Sequence, residues 1–390
     1  MTKSARQRIV VLGGGIVGVT TAYELCRDGH EVVLIEQHED VGEETSWGNA
    51  GMSAPGHSFA WASPQAPMIL LKSLFNKDQA LRFTPSLDRR LWQWSLAFLR
   101  ECTSTRARRN TLIKHRLTLY SQSVFQQTAA ETGIEFDRSS NGILYFYATA
   151  EGLARGVEHM KILSENGQQI EVVDRGRIEQ LDPSFSASKA SIAGGIYCPT
   201  DETGDCSKFA KGLATECTKM GVDIRTDTRI TGIVANGDRI SHVETNHGEV
   251  RGDLYVLSLG NHSPVLARGI GVYLPIYPIK GYSLTMPVGN RPHPPQLACV
   301  DEDRLVAITR MGDRVRATAT AEFAGYDTSH KAEDFTFMRK VVEDLFPEGA
   351  DFERAEFWAG LRPMTPEGTP ILGRDRKHVT LFMHTGQGHM

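Results

Sequence analysis

"RIVVLGGGIVGVTTAYELCRDGHEVVLIE", residues 8–36, decides the fold class. Residues 8–12 are a short apolar run rich in β-branched side chains, which reads as a buried strand. Three glycines follow, and then Ile16, Val19, Ala22, Tyr23 and Leu25 recur at helical spacing. Gly29 stands where a helix C-terminal cap is expected, and "EVVLIE" reads as a second buried strand. Two strands joined through a helix lie parallel, so an α/β architecture follows. Gly13, Gly15 and Gly18 form a G-x-G-x-x-G between strand and helix. The first makes the turn, the second lets backbone approach a pyrophosphate, and the third lets helix and strand pack closely. Free N–H groups and the dipole at the helix start favour phosphate. Glu36, with Gln37 after it, ends the second strand, where a carboxylate accepts from ribose hydroxyls. A Rossmann-like dinucleotide-binding domain is expected, with NAD and FAD both open.

Working outward, 390 residues exceed one ordinary core, so two domains are expected. With 40% hydrophobic and 23% charged residues the balance is that of a globular protein. A net charge of −4 offers no basic field, so nucleic acid is not an expected partner. No apolar run reaches the roughly 20 residues of a membrane span. The start "MTKSARQRIVVL" is not read as a signal peptide, because its apolar run is needed as the first strand. Cys26, Cys102, Cys198, Cys206, Cys217 and Cys299 form no C-x-x-C pair and no cluster with histidines. Reduced cytoplasmic thiols are expected, with no disulfide framework and no metal site.

Residues 86–102 and 108–133 read as amphipathic helices, and 142–149 and 192–199 as strands. Residues 205–224 return to helix then strand, and short strands joined by N-G-D and N-H-G turns follow to 260. Further strands lie at 274–287 and 304–323, and a helix at 331–346. The expected layout is discontinuous. Residues 1–60, 201–265 and 355–390 build the nucleotide-binding domain. Residues 61–200 and 266–354 build an α+β substrate domain with a mixed or antiparallel sheet.

Three more stretches carry chemistry. In "EETSWGNAGM", residues 43–52, Thr45 and Ser46 can donate to phosphate, while Asn49, Ala50, Gly51 and Met52 leave space for a planar ring. Read from its residues alone it is only a polar turn. In "GDLYVLSLGNHS", residues 252–263, Gly260 permits close approach to a ligand, and the strand near Ile230 is placed to pass an adenine. In "WAGLRPMTPEGTP", residues 358–370, Arg362 precedes a Pro366-Glu367-Gly368 turn. It reads as a salt-bridge partner or as a planar two-pronged clamp for a carboxylate.

The chain resembles the FAD-dependent D-amino acid dehydrogenases, in the group that includes D-amino acid oxidase and glycine oxidase. The resemblance rests on "VVLGGGIVGVTTAYEL", "TSWGNAGMSAPG", "CPTDETGDCSKFA", "YPIKGYSLTMP", "AITRMGDRVRATATAEFAG" and "FWAGLRPMTPEGTPILGR", and so covers essentially the whole chain. It implies FAD as cofactor. It implies Arg362 as the substrate carboxylate clamp, Tyr282 as a hydroxyl that adds to carboxylate binding, and His57 at the pocket entrance. Lys280 is a weaker candidate. It implies hydride transfer from the α-carbon of a D-amino acid to flavin N5, giving an imino acid that water converts to a 2-oxo acid and ammonia. Electrons are then expected to pass to a quinone or another non-oxygen acceptor. A 4-hydroxy-D-proline dehydrogenase and an oxygen-using oxidase remain open, as does a flavin-binding subunit without activity.

In this family a glycine turn, here Gly386 and Gly388, lies near the pyrimidine end of the flavin and leads into a helix. The sequence ends at Met390. Three readings stay open: a sequence cut to its ordered part, a truncated chain, or a chain completed by a partner, with association of an exposed sheet face. Finally, "LWQWSLAFLRECTSTRARRNTLIKHR" joins aromatics to Arg100, Arg106, Arg108, Arg109, Lys114 and Arg116. Two solvated helices, or peripheral contact with the inner face of the cell membrane, would each fit.

Overall fold

The computed structural model describes residues 5–73, 81–83 and 87–389. Among them, one six-stranded sheet runs in the order Ile371–Arg374, Leu381–Thr385, Leu254–Leu257, Arg8–Leu12, Glu31–Ile35 and Asp223–Arg225. All its pairings are parallel except that of Ile371–Arg374, an antiparallel edge. Strand alternation sends Ile9 and Val11 to one face and Val10 and Leu12 to the other. The first face packs on the helices Ile16–Arg27 and Cys206–Lys219 through Val19, Ala22, Phe209 and Leu213. The second is covered by a three-stranded antiparallel sheet, Ile230–Asn236, Arg239–Thr245 and Gly248–Val250, and by the helix Ser263–Gly269. Burial on both faces is why these strands read as unbroken apolar runs.

The larger sheet runs Glu356–Met364, Tyr277–Pro287, Arg314–Phe323, Val306–Met311, Ala298–Asp301, Ile143–Tyr147, Gly194–Cys198 and Glu171–Val173. It is mixed: Ala298–Asp301 lies parallel to Ile143–Tyr147, and Leu81–Phe83 adds in parallel beside Arg314–Phe323. Its main core includes Leu284, Ile308, Val315, Val341, Leu345 and Phe346, the last three from the helix Thr336–Leu345 and the residue after it. The helix Arg89–Glu101 starts at Asp88, whose side chain accepts from the Arg90 N–H. The long helix Ser104–Thr132 ends on Gly133, which takes the left-handed conformation.

One expectation about the layout needs correction. Glu356–Met364, expected in the nucleotide-binding domain, pairs along its length with Tyr277–Pro287, from Tyr277↔Met364 to Thr285↔Glu356. Arg362 is therefore presented by the larger sheet, and the chain rejoins the nucleotide sheet only at Ile371. A helix at Ala150–Ser164 was not foreseen, because Gly152 and Gly156 weaken its periodic signal. Gly156 is there for packing: a Cβ on it would lie 2.2 Å from the Tyr147 hydroxyl.

Candidate active site

A cleft of about 1040 Å³ is walled by the C-terminal ends of the nucleotide strands, the helix Ser104–Thr132 and the larger sheet. At one end lies the glycine turn. Gly13 has φ +105°, and a Cβ on Gly18 would stand 1.7 Å from the Gly13 carbonyl oxygen, so helix and strand meet only through glycine. Gly15 differs: a Cβ there meets nothing nearer than Ser46 Oγ at 3.6 Å, so bare backbone faces the cleft. Glu36 lines the same end and accepts from the N–H groups of Gly14 (2.7 Å) and His38 (2.9 Å). Burial raises its carboxyl pKa, against the pull of those N–H groups. Gln37 and Ile230 line this end as well.

The 45–52 turn crosses the middle of the cleft. Thr45 is present but its hydroxyl donates to the Leu361 carbonyl (2.7 Å), which corrects its expected role as a phosphate donor. Ser46 Oγ accepts from the Ile16 N–H (3.0 Å), capping the glycine-turn helix. Asn49 Oδ1 accepts from the Gly51 N–H, and Ala50, Gly51 and Met52 complete the wall. Arg316, which the sequence reading missed, donates to the carbonyls of Trp47 (2.8 Å) and Asn49 (3.2 Å) and fixes this turn. Trp358 was also missed. Its ring fills the space left by Gly48 and Gly360, where a Cβ would lie 2.2 and 1.9 Å from it.

Arg362 reaches the cleft from the edge strand. It makes no ion pair among the described residues; its Nη1 donates to the Thr320 carbonyl at 3.0 Å. Thr320 has φ +63° and sits in a bulge, opposite the Lys280–Tyr282 step, that re-aims its carbonyl. Burial alone lowers the Arg362 pKa to about 10, which leaves it charged at neutral pH. Tyr282 lines the cleft, but its hydroxyl donates to Glu322, and burial followed by that contact raises its pKa. Lys280 donates instead to the Ser329 carbonyl and is not among the lining residues.

His57 is in the wall, stacked on Tyr145 at 5.5 Å and 3.3 Å from Glu302. Burial pushes its pKa down, but the hydrogen bond and charge of Glu302 outweigh that, so it is raised. Asp201, fully buried, holds the loop beneath it by accepting from the Gly56 N–H, the Tyr145 hydroxyl and Gln168 Nε2. Lys114 was counted with the surface basic residues. It is instead fully buried, lines the cleft, and donates to the Phe59 carbonyl (2.9 Å) and His389 Nε2 (2.8 Å). Burial lowers its pKa to about 7.

Gly260 and Gly388 line the cleft, whereas Gly386 does not: with φ +79° it packs against Thr365 and sets the turn. Gln387 Nε2 and Asn261 Oδ1, both on cleft-lining residues, are buried without a hydrogen-bond partner. Bare backbone at Gly15, a carboxylate at Glu36, a hydroxyl at Ser46 and these two orphan groups together fit an elongated polar cofactor of the dinucleotide type. No cluster able to hold a metal occurs among the described residues.

Comparison with known proteins agrees with this geometry. Residues 8–390 match the model of the FAD dependent oxidoreductase family. D-amino acid dehydrogenase 2 of Mesorhizobium japonicum is 43% identical over 384 residues, 98% of this chain and 92% of that relative. D-amino acid dehydrogenase of Granulibacter bethesdensis is 39% identical over 381 residues, 98% of this chain and 91% of that relative. In fold, the chain is similar to glycine oxidase from Geobacillus kaustophilus, with a TM-score of 0.72 at 21% identity over 99% of this chain and 90% of that one. A Rossmann-like sheet joined to a mixed sheet, with a cofactor-shaped cleft between them, thus belongs to a member of the FAD-dependent oxidoreductase family.

Proposed function

We propose that this chain oxidises D-amino acids to 2-oxo acids and ammonia, using FAD. The observation that carries the reading is Arg362: a guanidinium with no carboxylate partner among the described residues, in the cleft that also holds the Gly13–Gly18 turn. Its two parallel N–H donors match the two oxygens of an α-carboxylate. The dehydrogenase relatives support the substrate class.

When bound, FAD supplies the redox chemistry and accepts the hydride lost from the substrate α-carbon. Glu36, Ser46 and the backbone at Gly15 would hold it. Arg362 fixes the substrate carboxylate, and Trp358 and Tyr282 wall the pocket beside it. His57, oriented by Tyr145 and Glu302, faces the same space. The substrate amine must shed a proton as the hydride leaves. The imino acid then adds water and releases ammonia.

We further assign residues 1–60, 201–265 and 371–389 to cofactor binding, and the intervening segments to substrate binding. The electron acceptor is proposed to be a quinone or another non-oxygen acceptor, in keeping with relatives named as dehydrogenases. No helix among the described residues is long and apolar enough to cross a membrane. A cytoplasmic enzyme in peripheral contact with the membrane is the proposed setting. It is supported by exposed Trp92, Leu96 and Leu99 on one helix and exposed Arg100, Arg106 and Arg108 beside them.

The test is an anaerobic absorbance spectrum before and after D-alanine, D-proline and their L-forms. Bleaching of the flavin by D-forms alone is expected. A flavin that no D-amino acid reduces would sink the proposal.

A further inference from the structure

Two basic side chains share the cleft, Lys114 fully buried and Arg362 partly so, and neither faces a carboxylate among the described residues. Arg362 makes its one hydrogen bond to a carbonyl, and Lys114 makes two, to a carbonyl and an imidazole. For both, burial is the single influence on the charge, with no carboxylate offsetting it. The nearby acids are committed elsewhere. Glu302 pairs with His57, and Asp201 is saturated by Gly56, Tyr145 and Gln168.

His389 ties the two cations to one space. Its ring stacks on Trp61 at 4.9 Å, and its Nε2 meets Lys114. Its Nδ1 is buried without a partner. Burial, then the charges of Lys114, His57 and Arg362, hold it neutral. Arg362, Lys114 and His57 therefore all lie within electrostatic range of one imidazole. Burying charge is costly without a counter-charge. Arg362 stays charged at neutral pH, and Lys114, balanced near its pKa, gains its full charge when an anion approaches, so the pair suits a ligand with two anionic groups.

We infer that the cleft is built for a D-amino acid whose side chain carries a second carboxylate, Arg362 holding the α-carboxylate and Lys114, beside His389, holding the distal one. The inference rests on the D-amino acid reading above and narrows its substrate. Lys114 has a third N–H donor to give, and the neighbouring His389 has its Nδ1 buried without a partner. An ammonium meets a carboxylate as a point charge, which tolerates either one or two methylenes in the side chain.

The test uses the FAD-loaded protein and an artificial acceptor dye. D-glutamate and D-aspartate are compared with their neutral isosteres D-glutamine and D-asparagine, in wild type, Lys114→Met and Lys114→Gln. The expected result is kcat/KM at least tenfold higher for the acidic member of each pair in wild type, with that ratio falling at least tenfold in both variants. A second readout needs no turnover. Glutarate, which lacks an amino group, should perturb the flavin spectrum at lower concentration than valerate, and Lys114→Met should erase the difference.

Wild type preferring the neutral isosteres overturns the inference while leaving the D-amino acid reading intact. So does a variant that slows all four substrates by one factor, since Lys114 would then act on the frame or the cofactor. If no D-amino acid is oxidised at all, the underlying reading fails and this one with it. Should a variant lose FAD, the wild-type ratios and the glutarate titration decide alone.

Discussion

The guanidinium of Arg362 lies across the α-carbon of Gly281, its diagonal neighbour on the adjacent strand: a Cβ on residue 281 would stand 2.3 Å from Nη1 and 2.5 Å from Cζ. The clamp is thus seated by an absence of side chain as much as by its bond to Thr320. Gly281→Ala should push the guanidinium away without unfolding the sheet, because the clash is with the end of a flexible side chain. KM for the preferred D-amino acid should rise about tenfold, equivalent to about 1.4 kcal/mol, with FAD content unchanged. Steady-state kinetics with the flavin-to-protein absorbance ratio measure both, and an unaltered KM would remove the seat from the account.

Arg362→Lys keeps the charge and loses the fork. A charge-assisted hydrogen bond is worth about 1.5–3 kcal/mol, so KM should rise on the order of 10–100-fold, and further in Arg362→Ala. Among the described residues the only hydrogen-bond partner lost is the Thr320 carbonyl, so flavin spectrum and melting temperature should change little. Loss of flavin in either variant would mean that Arg362 supports the frame rather than the substrate.

Two of the motif glycines should fail in different ways. At Gly18 a side chain meets the Gly13 carbonyl at 1.7 Å, so Gly18→Val should prevent folding of the nucleotide domain. At Gly15 a Cβ makes only an ordinary contact with Ser46 Oγ at 3.6 Å and otherwise faces the cleft, so Gly15→Val should give a folded, colourless protein. Circular dichroism with flavin absorbance separates the cases. A flavin-loaded Gly15→Val would mean that the cofactor does not approach this backbone.

What the sequence made legible follows from short-range physics. Glycine spacing, strand alternation and helix period sit within residues 8–36, and they placed the Rossmann-like core. Arg362 was found because a turn and a proline flag it locally. Gly281, Arg316 and Trp358 were missed because their roles come from contacts made across the fold. Arg316 braces the turn at Trp47 and Asn49, about 270 residues away in sequence. Thr45 was misjudged because its hydroxyl is taken by Leu361, a strand the sequence does not place beside it. The domain boundary near 355 slipped for the same reason: pairing of Glu356–Met364 is decided by Tyr277–Pro287. Lys114, in "RRNTLIKHR", looks like any solvated charge on a helix. Its burial comes from Phe59 and from His389, 275 residues on.

That burial makes a pH prediction with a definite sign. Lys114 has an ordinary value of 10.5 and a folded value of about 7. Between these, the unfolded chain holds a proton that the folded chain lacks, so raising pH through that window favours folding. Below about pH 7 both states are protonated and the burial of charge opposes folding in full. Lys114→Met has no such term and fills similar volume. Its melting temperature should therefore exceed wild type most at pH 6, with the gap closing steadily toward pH 10. Thermal melts of both FAD-saturated proteins from pH 6 to 10 measure it. A gap that is flat with pH would show that the amine titrates normally and reaches solvent. A bound dicarboxylate should itself raise the Lys114 pKa, so adding glutarate should narrow the gap at pH 6 by stabilising wild type more than the variant.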